Sequence, residues 1–115
     1  MITIDEFKKV EMKVGEIRSA ESVPGSEKLL RLVVNFGAED RQVISGIAKH
    51  VGEPASVVGK RFAFATNLEP RSIMGLESQA MILAVGGDPD APVGAGGGPF
   101  AILEAPGAAP GSRVC

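Results

Sequence analysis

The sequence predicts an all-β domain in which five strands close into a small barrel. Short apolar stretches are separated by turns rich in glycine and proline, several of them alternate between apolar and polar residues, and only brief segments show helical spacing. A chain of 115 residues is long enough for one such domain, over residues 1–115, with a core that needs no disulfide support.

The chain begins with a pattern that predicts a short helix. Thr3 and Glu6 have the spacing of a capping box, and the apolar residues of the segment Ile4–Val10 recur at helical intervals. From Glu11 onward the apolar period changes to two, which predicts a first strand. Gly15 lies inside this strand, where we expect a bulge or a sharp bend.

A hairpin and a second short helix are predicted next. The strands are LLRLVVNF, residues 29–36, and RQVISGIA, residues 41–48, and the turn sequence GAED separates them. In the following segment AKHVGEPASVVGK, a start at Glu53-Pro54 and an end at Gly59 suit a helical turn between strands.

Two more strands complete the predicted barrel, which spans about residues 11–85. RFAFATNL, residues 61–68, alternates in side-chain size, and QAMILAV, residues 79–85, is a nearly continuous apolar strand. Phe36, Phe62 and Phe64 fall on predicted core positions. A C-terminal extension over about residues 86–115 contains a glycine-rich loop, a short strand in FAILEAP and a turn in PGSRV.

This order and size match a five-stranded oligonucleotide-binding (OB) barrel with a short N-terminal helix, a short helix between strands three and four, and a C-terminal extension. A split βαβ arrangement is the competing fold, but it needs longer crossover helices than this chain offers. Ligands of OB barrels lie across strands two and three, between the loop joining strands one and two and the loop joining strands four and five.

The sequence offers no support for an enzyme. The motifs GxxxxGK[ST], GxGxxG and HExxH are absent, and one histidine with one cysteine falls short of the usual ligand count of a metal site. Ser45 and His50 could be a nucleophile and its base, but no orienting partner accompanies them, and surface solvation is the simpler interpretation of His50. We therefore expect no catalytic residue, no cofactor and no metal.

Charge and cysteine content favour a cytoplasmic protein without a strongly basic surface. The formal net charge is -2, so anion binding must come from a local cluster of basic groups. The single cysteine, Cys115, has no disulfide partner, which favours a reducing compartment. No apolar run approaches the ~20 residues of a membrane span, and Met1 leads into polar sequence rather than a signal peptide.

The predicted ligand site lies between the loops SVPGSEK, residues 22–28, and NLEPRSIMGLES, residues 67–78. We expect Lys28 and Arg71 to face each other across one groove, where Arg71 can bind a phosphate with two N–H groups and Lys28 offers a point charge. Three further residues can hydrogen-bond phosphate or ribose hydroxyls: Asn67, Ser45 and Ser78.

The apolar residues of the second loop leave two interpretations open. Ile73 and Met74 either fold inward and cap the open end of the barrel, or they form an apolar edge against a sugar or base. In both cases Pro70 and Gly75 fix turns that keep Arg71 in one place. Because the chain has no Trp or Tyr, stacking platforms are scarce, which favours a folded RNA recognised through backbone and shape over single-stranded DNA.

Long stretches of the chain resemble a known family. They are FKKVEMKVGEI, SEKLLRLVVNFG, RQVISGIAKH, VGKRFAFATNLEPRSIMGLESQAMILA and PGSRV. Together they resemble the structure-specific tRNA-binding domain of the methionyl-tRNA synthetase β-chain type, which also occurs as free-standing tRNA-binding proteins. The resemblance covers nearly the whole chain, and NLxPRxxMGxxS and SGIA are its most specific motifs.

The resemblance implies an OB-fold homodimer that docks on the outer corner of the L-shaped tRNA, with little regard for sequence and without chemistry of its own. The tRNA-facing residues it implies are Lys28, Ser45, Asn67, Arg71, Met74 and Ser78. The dimer it implies is built by the N-terminal helix and by the segment Phe100–Val114 of the extension. A separate methionyl-tRNA synthetase chain is the further partner, and Met1 together with the ending PGSRV favours a free-standing protein.

Two departures from the family pattern concern the barrel edge and the extension. Ala80 stands where the family usually has glycine, in Ser78-Gln79-Ala80-Met81, so a close backbone approach there is altered. The expanded stretch GGDPDAPVGAGGGP, residues 86–99, suits a connecting hairpin better than a tRNA contact.

A second hypothesis is a protein-interaction module, either a secretion-chaperone-like OB-fold dimer that binds polypeptides or a dimerisation domain. The chaperone-like relatives lack the SGIA stretch, which this chain has at residues 45–48. The sequence therefore favours the tRNA-binding module.

Overall fold

The computed structural model describes residues 1–86 and 100–115, and within them the chain forms an all-β barrel. The main sheet is antiparallel, in the order β3-β2-β1-β4-β7, which confirms the predicted five-stranded barrel. The elements are α1 (Ile4–Phe7), β1 (Met12–Ser22), β2 (Leu30–Asn35), β3 (Asp40–Ser45), α2 (Ala48–Val51), a 3₁₀-helix (Pro54–Val57), β4 (Arg61–Ala65), β5 (Arg71–Ile73), β6 (Leu76–Ser78), β7 (Met81–Ile82), β8 (Ala84–Val85) and β9 (Ala101–Ile102).

The barrel core follows from the alternation of apolar residues along the strands. β2 buries Leu30 and Leu32 completely, while the intervening Arg31 is exposed. The rings of Phe36 and Phe64 pack edge to face, with centroids 5.3 Å apart. The predicted core positions Phe36, Phe62 and Phe64 are all buried, and full burial of such a side chain stabilises the fold by roughly 2–3 kcal/mol.

Gly15 has a packing role, and the prediction of a bulge at this residue is wrong. The register shift in β1 lies further along the strand, between Ile17 and Ser19. A Cβ atom on Gly15 would lie 2.5 Å from Cγ1 of Val34 and 2.7 Å from Cε1 of Phe36. The position needs glycine because neighbouring core side chains already fill the space beside the backbone.

The helical segments are shorter than the sequence predicts. The capping box of Thr3 and Glu6 is present, but α1 ends at Phe7 and not at Val10. Between β3 and β4 the chain forms two separate turns, α2 and the 3₁₀-helix, because Gly52 with a φ of 75° interrupts them. Across the described ranges, no helix has the length and apolar character to cross a lipid bilayer.

The last predicted strand is divided between two partners. In QAMILAV, β7 pairs with β4, whereas β8 pairs with β9 from the FAILEAP stretch. Leu83 lies between them, and its N–H donates to the carbonyl of Ala63, 3.0 Å away. The connecting hairpin predicted for the glycine-rich stretch falls on residues 87–99 and lies outside the described residues.

The C-terminal segment is part of the barrel wall and not only a turn. Its backbone runs antiparallel to the start of β1: the N–H of Val14 donates to Ser112 (2.8 Å), and that of Val114 donates to Met12 (2.8 Å). The N–H of Gly111 in turn donates to the carbonyl of Val14, 2.7 Å away. This segment therefore pairs with the part of β1 that β2 leaves uncovered.

Candidate nucleic-acid interface

The stretch NLEPRSIMGLES contains a β-hairpin, where the sequence predicted only a turn-rich loop. β5 pairs with β6, and the turn between them is Met74-Gly75. Both turn residues have positive φ, 50° and 78°, which is the geometry of a type I′ turn. A methionine in this left-handed region costs about 1 kcal/mol relative to its preferred backbone conformation.

Ser78 joins the hairpin to the barrel. Its buried Oγ accepts a hydrogen bond from the N–H of Ile44 (3.0 Å) and donates toward the carbonyl of Ala80 (3.1 Å). The N–H of the next residue, Gln79, donates to the carbonyl of Gln42, 2.8 Å away. These contacts close the gap between β3 and β7, and they leave the hydroxyl of Ser78 committed inside the protein.

A chain of side-chain hydrogen bonds holds the hairpin from the outer face of the sheet. Gln42 donates through Nε2 to the carbonyl of Glu77 (2.8 Å) and accepts through Oε1 from Nε of Arg31 (2.8 Å). Arg31 also binds Glu21 at 2.7 Å. The sequence did not single out Gln42 and Arg31, because their proximity depends on the register of β2 and β3. Their outward-facing positions in the strand alternation were the one available signal.

Asn67 anchors the N-terminal segment at the base of the hairpin. Its Oδ1 accepts from the N–H of Glu11 (2.8 Å), and its Nδ2 donates to the carbonyl of Lys9 (2.6 Å). The hydroxyl of Thr66 donates to the carboxylate of Glu11, 2.7 Å away. This hydrogen bond, with a smaller contribution from the charge of Lys13, lowers the pKa of Glu11 below its ordinary value.

A groove of about 60 Å³ lies between the hairpin, the end of β3 and β7. It brings together three of the predicted site residues, Ser45, Arg71 and Ser78. Its walls are formed by Ile44, Ser45, Leu68, Glu69, Arg71, Ile73, Ser78, Ala80, Met81 and Ile82. Most of these side chains are apolar, so Arg71 and Glu69 stand out as the charged groups of the groove.

Arg71 differs from the arginines that stabilise the barrel. Arg31 and Arg61 each hold a glutamate, at 2.7 and 3.2 Å. The exposed guanidinium of Arg71 makes no hydrogen bond or ion pair with residues 1–86 or 100–115. Its five N–H donors are therefore available to an anion that enters the groove.

Lys28 is not among the residues that line this groove. Its backbone carbonyl accepts from the N–H of Ala48 (3.0 Å), at the start of α2. The loop that carries it touches the hairpin at another point, because a Cβ on Gly25 would lie 3.6 Å from Cε of Met74. The two predicted loops therefore approach each other at Gly25 and Met74.

Ile73 and Met74 differ in exposure, and the choice between their two interpretations stays a prediction. Ile73 is half-buried on the groove wall, whereas the side chain of Met74 is 59% exposed at the hairpin tip. Ala80, where the family usually has glycine, contributes to the groove wall and has no positive φ, so the alanine is accommodated without backbone strain.

His50 packs its ring on Phe100, with centroids 4.6 Å apart. Within the described chain, no three metal-ligating side chains form a cluster that could hold an ion.

The barrel and its groove define a small OB-like binding domain. The family model of a putative tRNA-binding domain matches residues 12–111, nearly the whole chain. This chain belongs to that tRNA-binding domain family.

The known relatives agree with this assignment. A methionine–tRNA ligase from Methanospirillum hungatei is 51% identical over 100 residues, which cover 83% of this chain and 15% of the ligase. The chain spans only 12 to 15% of the length of the methionine–tRNA ligases it matches, so the similarity concerns a small domain of those enzymes.

Solved structures extend the comparison to the whole fold. A MetRS-related protein from Pyrococcus horikoshii aligns with a TM-score of 0.85 and 34% identity, covering 100% of this chain and 98% of that one. The chaperone CsaA from Bacillus anthracis aligns with a TM-score of 0.79 at 23% identity, covering 100% of this chain and 99% of that one. At that identity the similarity to the chaperone concerns the fold alone.

Proposed function

We propose that this domain is a non-catalytic tRNA-binding module that recognises the folded shape and the backbone of tRNA. The observation that carries the proposal is Arg71, an exposed guanidinium without an internal partner at a largely apolar groove. Ser78 bonds the hairpin that presents it to the barrel, and Asn67, just before the hairpin, is bonded to the N-terminal segment. The backbone of Arg71 is therefore fixed before binding, and its guanidinium can bind a phosphate with two N–H groups at the entropic cost of its own side chain alone.

The other motif residues have different parts in this proposal. Ser45, half-buried on the groove wall, offers a hydroxyl to ribose or phosphate, and Met74 offers an apolar contact at the hairpin tip. Lys28 adds positive charge from the neighbouring loop. Asn67 and Ser78 act indirectly, because their side chains hold the hairpin rather than pointing to a ligand.

A site with so few basic groups should bind weakly and depend strongly on salt. Each phosphate contact made by a basic side chain contributes about -0.7 to -0.9 to the slope of log K against log salt concentration. The near-neutral barrel adds little long-range attraction, since the formal net charge of the chain is -2. Selectivity for folded tRNA therefore has to come from the geometry of the few contacts.

The proposal includes a homodimer that serves methionyl-tRNA synthetase as a β-chain or auxiliary module in the cytoplasm. Support for the dimer comes from an exposed apolar surface where Ile4, Phe7 and Val10 meet Met12 and Val114. A contiguous apolar surface of this kind is typical of protein–protein contacts. Sedimentation of the purified protein tests the dimer directly, and a monomer at all concentrations contradicts it.

The RNA-binding proposal is tested with tRNA and an unstructured RNA of equal length, at low and moderate salt. We expect tighter binding of tRNA and a loss of about 10-fold or more in Arg71→Ala, because one charge-assisted contact is removed. Arg18→Ala is the matched control, since it removes an exposed guanidinium that pairs with Glu16 on β1. Thermal unfolding of both variants should match the wild type.

Each outcome has a definite meaning. Equal affinity for the two RNAs contradicts shape recognition, and full binding by Arg71→Ala contradicts the choice of groove. If the protein ignores tRNA but binds unfolded polypeptides, the chaperone-like alternative replaces the proposal.

A further inference from the structure

Three apolar side chains are gathered at the groove beside Arg71 although two of them remain accessible to solvent. Leu68 and Met81 are 44% and 45% exposed, and half-buried Ile73 lies on the same wall. Scattered apolar residues are common on protein surfaces, but a group of them around an unpaired cation is typical of a ligand site. A bare phosphate would use Arg71 and leave this apolar wall unused.

The size of the groove limits what can enter. An apolar cavity of about 150 Å³ can enclose a benzene ring. The groove holds about 60 Å³ and is open on one side, so it can take one edge of a planar ring while the rest stays in solvent. The bases of RNA are planar rings of this kind, attached to a phosphate through a ribose.

Glu69 supplies the third feature of the site. Its carboxylate lines the groove and, like Arg71, makes no hydrogen bond or ion pair with any described residue. A carboxylate repels phosphate, but it accepts hydrogen bonds from the N–H groups on the edges of bases. In an RNA double helix the paired adenines and cytosines keep such N–H groups in a deep, narrow major groove that side chains cannot read, whereas an unpaired base presents them together with its Watson–Crick edge.

We propose that the groove receives the edge of one unpaired, unstacked base of the bound RNA. In this arrangement Arg71 binds the adjoining phosphate, Leu68, Ile73 and Met81 contact the ring, and Glu69 accepts from an N–H group of the base. This inference rests on the proposed RNA-binding function and deepens it. Shape selectivity then arises because the fold of the RNA must expose one unpaired nucleotide at the distance that the remaining backbone contacts allow.

The first test is a titration of the isotope-labelled protein with cytidine 5′-monophosphate and with ribose 5-phosphate, followed by NMR of the methyl groups. We expect the methyl signals of Leu68, Ile73 and Met81 to shift with the nucleotide and to stay in place with the sugar phosphate. Both ligands carry the same phosphate, so the difference reports the base alone. Equal responses to the two ligands, including no response to either, overturn the inference.

The second test measures tRNA binding by the double variant Leu68→Ala/Met81→Ala. Loss of the apolar contact with one base should weaken binding by about 5-fold or more, because the two truncations remove apolar surface that the base would otherwise bury. Val58→Ala is the control, because Val58 is also 45% exposed and is not part of the groove wall. Wild-type affinity in the double variant overturns the inference.

The two proposals fail in different ways. If the wild-type protein does not bind tRNA, the proposed function itself is wrong. If the wild type binds tRNA and Arg71→Ala weakens it, while the double variant binds normally, the function stands and the base-binding inference is overturned. Thermal unfolding of every variant verifies that the fold is retained.

Discussion

Two pairs of residues in the segment Asn67–Ser78 use their side chains in opposite ways. At the base, Asn67 and Ser78 are bonded to the backbone of other elements, at 2.6 to 3.0 Å in their closest contacts. By contrast, Met74 at the tip is 59% exposed, and Arg71, which pairs with Ser78 across the hairpin, makes no hydrogen bond or ion pair within the described chain. One short motif therefore contains residues that hold a hairpin and residues that are available to a ligand.

This difference shows that membership of a specific motif does not assign a residue to the ligand. A change at Asn67 or Ser78 should lower the free energy of unfolding and leave the affinity of the folded protein almost unchanged. A change at Arg71 or Met74 should do the reverse. Variants at the two pairs of residues test this separation.

Ser78→Ala should lower the free energy of unfolding by about 2 kcal/mol, because the buried N–H of Ile44 loses its hydrogen-bond acceptor. Urea denaturation measures the change, and tRNA affinity measured well below the unfolding transition should stay within about 2-fold of the wild type. A large loss of tRNA affinity in a variant of normal stability would mean that Ser78 contacts the ligand directly.

Asn67→Ala should lower the free energy of unfolding by about 1 kcal/mol, because two exposed hydrogen bonds to the N-terminal segment are lost. The change should be local. The amide of Glu11 donates to Asn67 in the wild type. Its hydrogen exchange should be accelerated in the variant, whereas exchange of the amides in β2 should stay at the wild-type rate. Uniform acceleration throughout the barrel contradicts a local anchoring role.

Met74→Asn should raise stability by about 0.5 kcal/mol, since asparagine followed by glycine is the preferred sequence for this type of turn. The same change removes the exposed apolar side chain and should weaken tRNA binding by about 3-fold. Thermal unfolding and a binding titration on the same sample measure both effects. A loss of stability would mean that the contact of Met74 with the Gly25 loop outweighs the backbone strain.

Glu11→Gln should produce the smallest effect, and this effect should depend on pH. The hydroxyl of Thr66 lowers the pKa of Glu11 in the folded protein, so its stabilising contribution is present above the ordinary glutamate pKa and is lost as pH falls through the lowered value. The melting temperature of the wild type should therefore fall more than that of the variant between about pH 7 and about pH 3. Parallel pH profiles contradict this role of the carboxylate.

Local patterns predicted much of the fold. The capping box of Thr3, the positions of the core phenylalanines and the hairpin of β2 and β3 all depend on residues close in sequence, and all are present. The bulge was placed wrongly at Gly15, because the need for glycine there comes from Val34 and Phe36 on another strand. A glycine in a strand alone does not show whether it marks a bulge or makes room for side chains of a neighbouring strand.

The candidate site was predicted less completely, for two physical reasons. The hairpin was missed because methionine at the first turn position is not a recognisable signal of positive φ. The roles of Asn67 and Ser78 depend on partners in distant parts of the chain, Lys9 and Ile44. Arg71 could be found from sequence because a single exposed arginine in a short rigid loop requires no knowledge of pairing.

The pairing of the C-terminal segment with the start of β1 has a consequence for how the protein is made. Met12 and Val114 are hydrogen-bonded neighbours, although nearly the whole chain separates them. During synthesis β1 leaves the ribosome early, and its free edge stays open until residues 111–114 have also emerged. Contacts between such distant residues form slowly, so the nascent chain exposes an unpaired strand edge while the rest of the barrel is being made.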